Sequence, residues 1–288
     1  MTKSEKPFIV GCPIGCRSGL EISEIVLPEG PLKRCIECGQ LVSQCSEALY
    51  WNSMEEFDDP KGTIPCERSD VKRLVRRTNK IVSKIEYLLG KDRREIHLLD
   101  VGCSSGAFIS VVNNLGVKAE GVEPAAGPAS TAQAAGLRVY QGFLEEVQLP
   151  EESFDVVTVF EVIEHLKNPI GLVQECHRIL RSGGLMVFRT GNTDSWTARY
   201  MKARWEYFHI SKHGGHICFY NPASMERLAE RSDFIVESIE TYGVRFHEKG
   251  EIPFIFYRLA KIFSELLNSP SIWFGKGHEI LAYLRKPF

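Results

Sequence analysis

From Ile96 to Asn192 short apolar runs alternate with stretches of helical periodicity, and this alternation constrains the fold more than any other feature. "IHLLDVG" is followed by "AFISVVNNLG", "KAEGVEP" by "GPASTAQAAG", and "LRVYQG" by a short linker. "SFDVVTVFEV" then leads into "IGLVQECHRILRSGG", and "LMVFRTGN" closes the series. Strands written as continuous apolar runs need cover on both faces, and the helices between successive strands supply it. The expected class is α/β, with a mostly parallel sheet. After "SMERLAERSDF" come two further strand-like runs, "FIVESIETYG" and "HEILAYLRKP". Before the series, apolar residues from Val71 to Leu89 recur at mostly helical spacing, and Gly90 supplies a stop.

The chain has 288 residues, enough for one large core and a small second module. That module is expected over residues 1–62, which hold Cys12, Cys16, Cys35, Cys38 and Cys45, several turn-forming Gly and Pro residues and the acidic break "MEEFDDPKG". The α/β domain then takes residues 63–288. With 35 basic against 37 acidic residues there is no electrostatic footprint for wholesale nucleic-acid binding. The N-terminal stretch has no apolar segment of signal-peptide length, and no apolar run is long enough to span a bilayer. A cytoplasmic protein without stable membrane insertion is expected.

The turn after the first strand of the series, "LLDVGCSSGAF", places small residues where backbone N–H groups and a helix N-terminus can approach a ligand. A dinucleotide fingerprint would need glycine at Ser104, so a nicotinamide oxidoreductase is disfavoured. The spacing reads as Asp100, Gly102, Ser104 and Gly106 instead; taken alone, it also fits a tight strand–helix turn. The next strand-like run ends in Glu123, whose carboxylate can accept both hydroxyls of a ribose or simply stand solvated before Pro124.

On Asp100, Gly102, Gly106 and Glu123 the chain resembles the class I S-adenosylmethionine-dependent methyltransferases, over about residues 70–288. The resemblance implies a Rossmann-like sheet of seven strands with the last antiparallel. It implies S-adenosylmethionine as cofactor, with the Gly-rich loop facing its methionine part and Glu123 its ribose. Gly142, Phe143 and Leu144, after the third strand, would lie beside adenine, where the usual acidic or amide residue is absent. The stretch "FEVIEHL" resembles the signature of the ubiquinone-biosynthesis O-methyltransferase-like branch, which implies that Phe160 and Glu161 also line the cofactor pocket.

Glu161, Glu164 and His165 have the spacing of one helical face, which suits helix capping with a satisfied histidine, a histidine base, or a metal face. A similar arrangement in small-RNA 2′-O-methyltransferases binds a divalent metal with a second histidine from downstream. "KHGGHICFYNPASMERL" offers His213 and His216 for that place, and His165 and His216 are the candidate catalytic residues. Aromatic and polar residues follow the fifth strand, among them Trp196, Tyr200, Trp205 and Tyr207. Their order resembles methyltransferases of bacterial surface-polysaccharide and deoxysugar biosynthesis, which often carry an N-terminal Cys-pair module. The resemblance implies methylation of a hydroxyl on a sugar or polysaccharide precursor. A quinone- or phenol-like metabolite and a non-catalytic methyltransferase-like binding protein are the alternatives.

Cys12-x3-Cys16 and Cys35-x2-Cys38 are two pairs of the kind that close a tetrahedral zinc site, although the first has one residue more than usual. A zinc-ribbon-like module is expected, with Cys45 as a spare ligand and free thiols as the alternative. Near the C-terminus "IPFIFYRLAKIFSELL" could be a lid, the face of a homodimer or a surface for a lipid-linked acceptor; packing onto the core is the expectation.

Overall fold

The computed structural model describes residues 6–55, 68–248 and 250–288. The boundary set at residues 62 and 63, most of the acidic break and Cys66 lie outside them. The central sheet comprises β4 (His97–Val101), β5 (Lys118–Glu123), β6 (Val139–Gln141), β7 (Phe154–Phe160), β8 (Leu180–Gly191), β10 (Ile235–Tyr242) and β11 (Glu279–Arg285). Their spatial order is β10-β11-β8-β7-β4-β5-β6. Every pairing from β6 to β8 is parallel, while β11 runs antiparallel to both its neighbours. The seven strands and the antiparallel last strand are as the resemblance implies.

The apolar strand runs send alternate residues to two cores. Leu98, Val156, Leu185, Val187 and Tyr283 point to one, with Ile81, Val82 and Ile85 of α2 (Arg68–Leu89) and Ile109 and Val112 of α3 (Ala107–Asn114). Leu99, Val157, Met186 and Phe188 point to the other, covered by α6 (Pro169–Ile179) and α9 (Pro222–Arg231). Gly90 ends α2 in the left-handed region, its N–H bonded to the Glu86 carbonyl. The helix α4 (Ala126–Ala134) joins β5 to β6, and α5 (Leu144–Val147) follows β6.

The N-terminal residues form β1 (Leu20–Leu27), β2 (Gly30–Cys35) and β3 (Leu41–Val42), followed by α1 (Glu47–Met54). Their small sheet takes a fourth strand, β9 (Cys218–Phe219), from the far side of the chain, with Leu41 opposite Phe219 and Val42 opposite Cys218. Ile14, Cys35, Val42 and Cys45 sit in the same buried cluster as Leu99 and Phe188. The Cys-rich segment is thus packed into the second core of the α/β sheet. Between β8 and β9 lie two short helices, α7 (Trp196–Met201) and α8 (Ile210–His213).

The C-terminal apolar segment departs from expectation. It forms α10 (Phe254–Trp273), and its buried side chains are Ser264 and Ser271, while Phe254, Leu266 and Trp273 remain 71–83% exposed. It lies against β10 with Ser264 and Ser271 innermost and Tyr257 and Leu267 half-buried, so most of its apolar residues do not pack onto the core.

Gly121 of β5 shows how closely α3 and its loop approach the sheet. A Cβ there would lie 2.4 Å from Cys103 Sγ and 2.5 Å from Ile109 Cδ1. Gly121→Ala is expected to lower stability by about 1–3 kcal/mol through overpacking alone, since its φ is ordinary. A urea midpoint equal to wild type would show that this contact is not tight.

Candidate active site

Strand order reverses between β4 and β7, so the loops after β4, β5 and β7 meet at the C-terminal edge of the sheet, where open α/β sheets bind ligands. The loop after β4 is tied to β5: the N–H groups of Gly102 and Cys103 both donate to the Val122 carbonyl, at 2.8 and 3.1 Å. Gly102 (φ 73°) and Gly106 (φ 78°) hold left-handed conformations. A Cβ at Gly102 would come within 2.3 Å of Val162, and one at Gly106 within 2.4 Å of Leu137. Ser104 takes the left-handed region (φ 50°) without glycine's freedom, a strained conformation of the kind that gathers at functional loops.

Glu123 accounts for that strain. One carboxylate oxygen accepts from the Ser104 N–H at 2.8 Å, and the other from the Ala125 N–H at 2.9 Å. The acid at the tip of β5 thereby fixes two loops at once, although it lies 19 residues beyond Ser104.

Asp100 is buried beside this loop and points into the sheet, where Thr158 Oγ1 donates to it at 2.6 Å. Burial pushes its carboxyl up to about 7, with the Thr158 bond acting in the opposite sense. Gly142 has φ 135°, Phe143 is exposed, and Leu144 buries its side chain in the core, leaving its backbone as the part near the edge. Phe160 sits at the end of β7 between the edge of Phe108 (centroids 5.0 Å) and the Arg189 guanidinium at 4.7 Å.

The stretch after β7 does not form the helical face its spacing suggested. Glu161 is left-handed (φ 54°) and pairs with Arg189 Nε at 3.0 Å; Ile163–His165 make a single 3-10 turn. Glu164 turns into the core, where the Tyr207 hydroxyl donates to it at 3.4 Å. Burial, helped by the Glu161 charge, drives its carboxyl well above the carboxylate range. The two carboxyls still lie within hydrogen-bond reach of each other, Glu161 at the surface and Glu164 buried. Among the described residues the only group of three or more His, Cys, Asp or Glu side chains drawn together as for a metal is a cysteine cluster.

Three histidines form a row. The His213 ring stacks on His216 (5.2 Å, 17° between planes), and His216 meets His165 edge-on at 4.7 Å. His216 Nδ1 lies 2.8 Å from the Tyr207 carbonyl, which assigns the proton to that nitrogen. Burial lowers all three, His165 to about 4. Of the row, His213 lines a cavity of about 200 Å³ with Glu161, Thr190, Trp205, Glu206 and Tyr207. The sequence-based choice of His165 and His216 thus identified the two members behind the one at the cavity.

Arg245, Glu248 and His278 complete that lining and carried no motif. They belong to loops bordering β10 and β11, and the antiparallel return of β11 sets Glu279 opposite Gly191, bringing them over the same edge.

The Sγ atoms of Cys12, Cys16, Cys35 and Cys38 all lie within 4.8 Å of one another, with Cys12 and Cys38 3.7 Å apart. Left-handed Gly15 and Gly39 close the two turns, donating to the Cys12 and Cys35 carbonyls. Glu37 ties them together, accepting from the N–H groups of Arg17 and Ser18 at 2.7 Å. Cys45 is buried outside this cluster, so it is not a spare ligand.

The family model described as "Methyltransferase domain" matches residues 73–239, more than half the chain. The chain belongs to this family, the class I S-adenosylmethionine-dependent methyltransferases. A ubiquinone biosynthesis O-methyltransferase of Bradyrhizobium sp. (strain ORS 278) is 29% identical over 170 residues, 54% of this chain and 64% of that protein. One from Maricaulis maris (strain MCS10) is 34% identical over 107 residues, 35% of this chain and 42% of that protein. The chain thus spans less than two thirds of these relatives. Among solved structures, a Thermotoga maritima SAM-dependent methyltransferase described as a possible histamine N-methyltransferase superposes with a TM-score of 0.52. It is 20% identical, and the match covers 82% of this chain and 99% of that one.

The buried Asp100 gives a pH test. Its carboxyl titrates near 3.8 when unfolded and near 7 when folded, so between those values the folded state binds the extra proton and stability falls as pH rises. Relative to Asp100→Asn, wild type should lose up to about 1.4 kcal/mol per pH unit across this window. Equal pH dependence of the two unfolding curves would show that Asp100 is ionised throughout.

Proposed function

We propose that this chain transfers a methyl group from S-adenosylmethionine to a hydroxyl of a sugar or polysaccharide precursor. The observation that carries the reading is the cavity beside Glu161, where stacked Trp205 and Tyr207 (4.8 Å) stand among Glu206, Glu248, Arg245 and His213. An aromatic platform ringed by hydrogen-bonding groups suits a polyhydroxylated ring better than a flat apolar quinone. The names of the curated relatives favour the second reading, a phenolic hydroxyl on a quinone precursor.

When bound, S-adenosylmethionine supplies a methyl group on a positively charged sulfur. The loop Gly102–Gly106 and Glu123 hold the methionine and ribose parts, Gly142 to Leu144 flank the adenine, and Phe160 and Glu161 close the pocket toward the acceptor. Asp100 acts from behind, holding the loop through the sheet. An acceptor hydroxyl held beside Glu161 would give its proton to an imidazole of the row. His213 is the group at the cavity, with His216 and His165 positioning it. Burial keeps these rings neutral near pH 7 and weakens them as bases; at His213 the nearby Glu206, Glu161 and Glu248 charges act in the opposite sense and favour its protonation.

We assign the four clustered cysteines to a structural zinc ion. A tetrahedral site with Zn–S bonds of about 2.3 Å spaces its sulfurs by roughly 3.8 Å, close to the Cys12–Cys38 separation. Four thiolates leave no open position for chemistry, and such a site fits a reducing cytoplasm. No helix among the described residues is long and apolar enough to cross a membrane.

Calorimetry with S-adenosylhomocysteine is expected to show binding that Glu123→Gln weakens at least about tenfold. His213→Ala should leave that affinity unchanged and cut turnover of a nucleotide-sugar acceptor by about 10²–10⁴-fold. Turnover of a catechol but no sugar would select the phenolic reading, and absence of S-adenosylhomocysteine binding would remove the enzyme reading. Metal analysis should return about one zinc per chain. Its removal by chelation should lower the thermal midpoint, because the cluster is built into the core; a metal-free, equally stable protein would refute the zinc assignment.

A further inference from the structure

The helix α10 inverts the usual arrangement of a surface helix. Its fully buried residues are small and polar, Ser264 and Ser271, with Tyr257, Ala260 and Leu267 half-buried beside them, while the other large apolar residues face outward. Ile255, Leu259, Ile262 and Leu266 follow one another at steps of four, three and four, and Trp273 continues the line one heptad beyond Leu266. Phe256 and Phe263 widen it on one edge. At 55–71% exposure for each residue from Ile255 to Leu266 in this stripe, and with Phe254, Trp273 and Phe274 at its ends, it presents roughly 1,000 Å² of apolar surface, reckoned from aromatic side chains of about 150–250 Å². Lone monomers rarely carry a patch above about 600 Å².

A 4-3-4 spacing is the seam of a two-helix coiled coil. The charges beside the seam decide the direction. Arg258 and Glu265, seven residues apart, occupy the same flanking position on successive heptads. In a parallel pair Arg258 would face Phe263 and Glu265 would face Pro270 of the other helix, neither of them a charge partner. In an antiparallel pair about an axis near residue 261, Arg258 of each copy faces Glu265 of the other, so the flanking charges match twice. A membrane surface fits less well, because α10 carries just two basic residues, Arg258 and Lys261, and sets Glu265 on the same edge as Arg258.

We propose that α10 is a self-association element through which two copies of this chain pair antiparallel about a two-fold axis. The surface is isologous and self-complementary, and the area it would bury on each copy reaches the roughly 800 Å² per partner of a stable interface. The inference is independent of the acceptor and of the zinc assignment.

Sedimentation equilibrium of the full chain is expected to give a mass near twice 32.5 kDa. Leu259→Glu, at a site already exposed and so neutral to the fold, should yield the monomer with an unchanged circular dichroism spectrum. Arg258→Glu should weaken the dimer, and Arg258→Glu combined with Glu265→Arg should restore it; a double swap no tighter than the single change would overturn the antiparallel arrangement. A wild-type monomer overturns the proposal, and if that monomer pellets with vesicles of phosphatidylcholine and phosphatidylglycerol, the stripe is a membrane surface. A dimer that survives Leu259→Glu overturns it too, since the contact then lies elsewhere.

Discussion

The junction between the loop after β4 and the end of β5 is the constraint on which the rest of the site depends. It consists of backbone donors from Gly102 and Cys103 to Val122 and from Ser104 and Ala125 to the Glu123 carboxylate. Removing Glu123 would leave a strained serine with its N–H unsatisfied in a partly buried loop, a cost comparable to the hydrogen bond itself. The close approach is possible because Gly102, Gly106 and Gly121 have no Cβ where Val162, Leu137 and Cys103 stand. The loop geometry is thus determined by residues on three different elements, and a cofactor meets a surface already set.

Behind that edge the protein keeps several titratable groups neutral by burial. Asp100 and Glu164 are shifted up, while His165, His213 and His216 are shifted down. The two carboxyls are held by hydroxyl donors from Thr158 and Tyr207. Burying a neutral acid with a hydrogen bond costs far less than burying its anion. The same low polarity keeps the imidazole row uncharged beside the cavity, and only His213 has carboxylates, Glu206, Glu161 and Glu248, that favour taking up a proton.

The Cys-rich segment is joined to the α/β domain by more than chain connectivity. Strand β3 pairs with β9, and Asn221, which caps α9, donates to the Cys38 carbonyl at 3.3 Å. β9 starts two residues after His216, so the strand that pairs with the Cys-rich segment also leads out of the histidine row.

Much of this was legible in the sequence. Continuous apolar runs between helical stretches specify a buried parallel sheet, and the small residues of "DVGCSSG" specify a tight strand–helix turn, because both depend on local residue order. The cysteine quartet was legible for the same reason, since its turns are short and each carries its glycine. Three things were decided by tertiary structure. The residues "EVIEH" have helical spacing, but a left-handed Glu161 paired with Arg189 breaks the face and sends Glu164 inward. His213, Arg245, Glu248 and His278 meet only because β11 returns antiparallel, and a contact between distant loops leaves no period in a sequence. The apolar segment of α10 was expected to pack onto the core, yet which side meets the protein depends on what β10 offers it, and there Ser264 and Ser271 fit. Residue order determines the elements and the chemistry they carry; the pairing of distant strands determines which of those groups share a cavity.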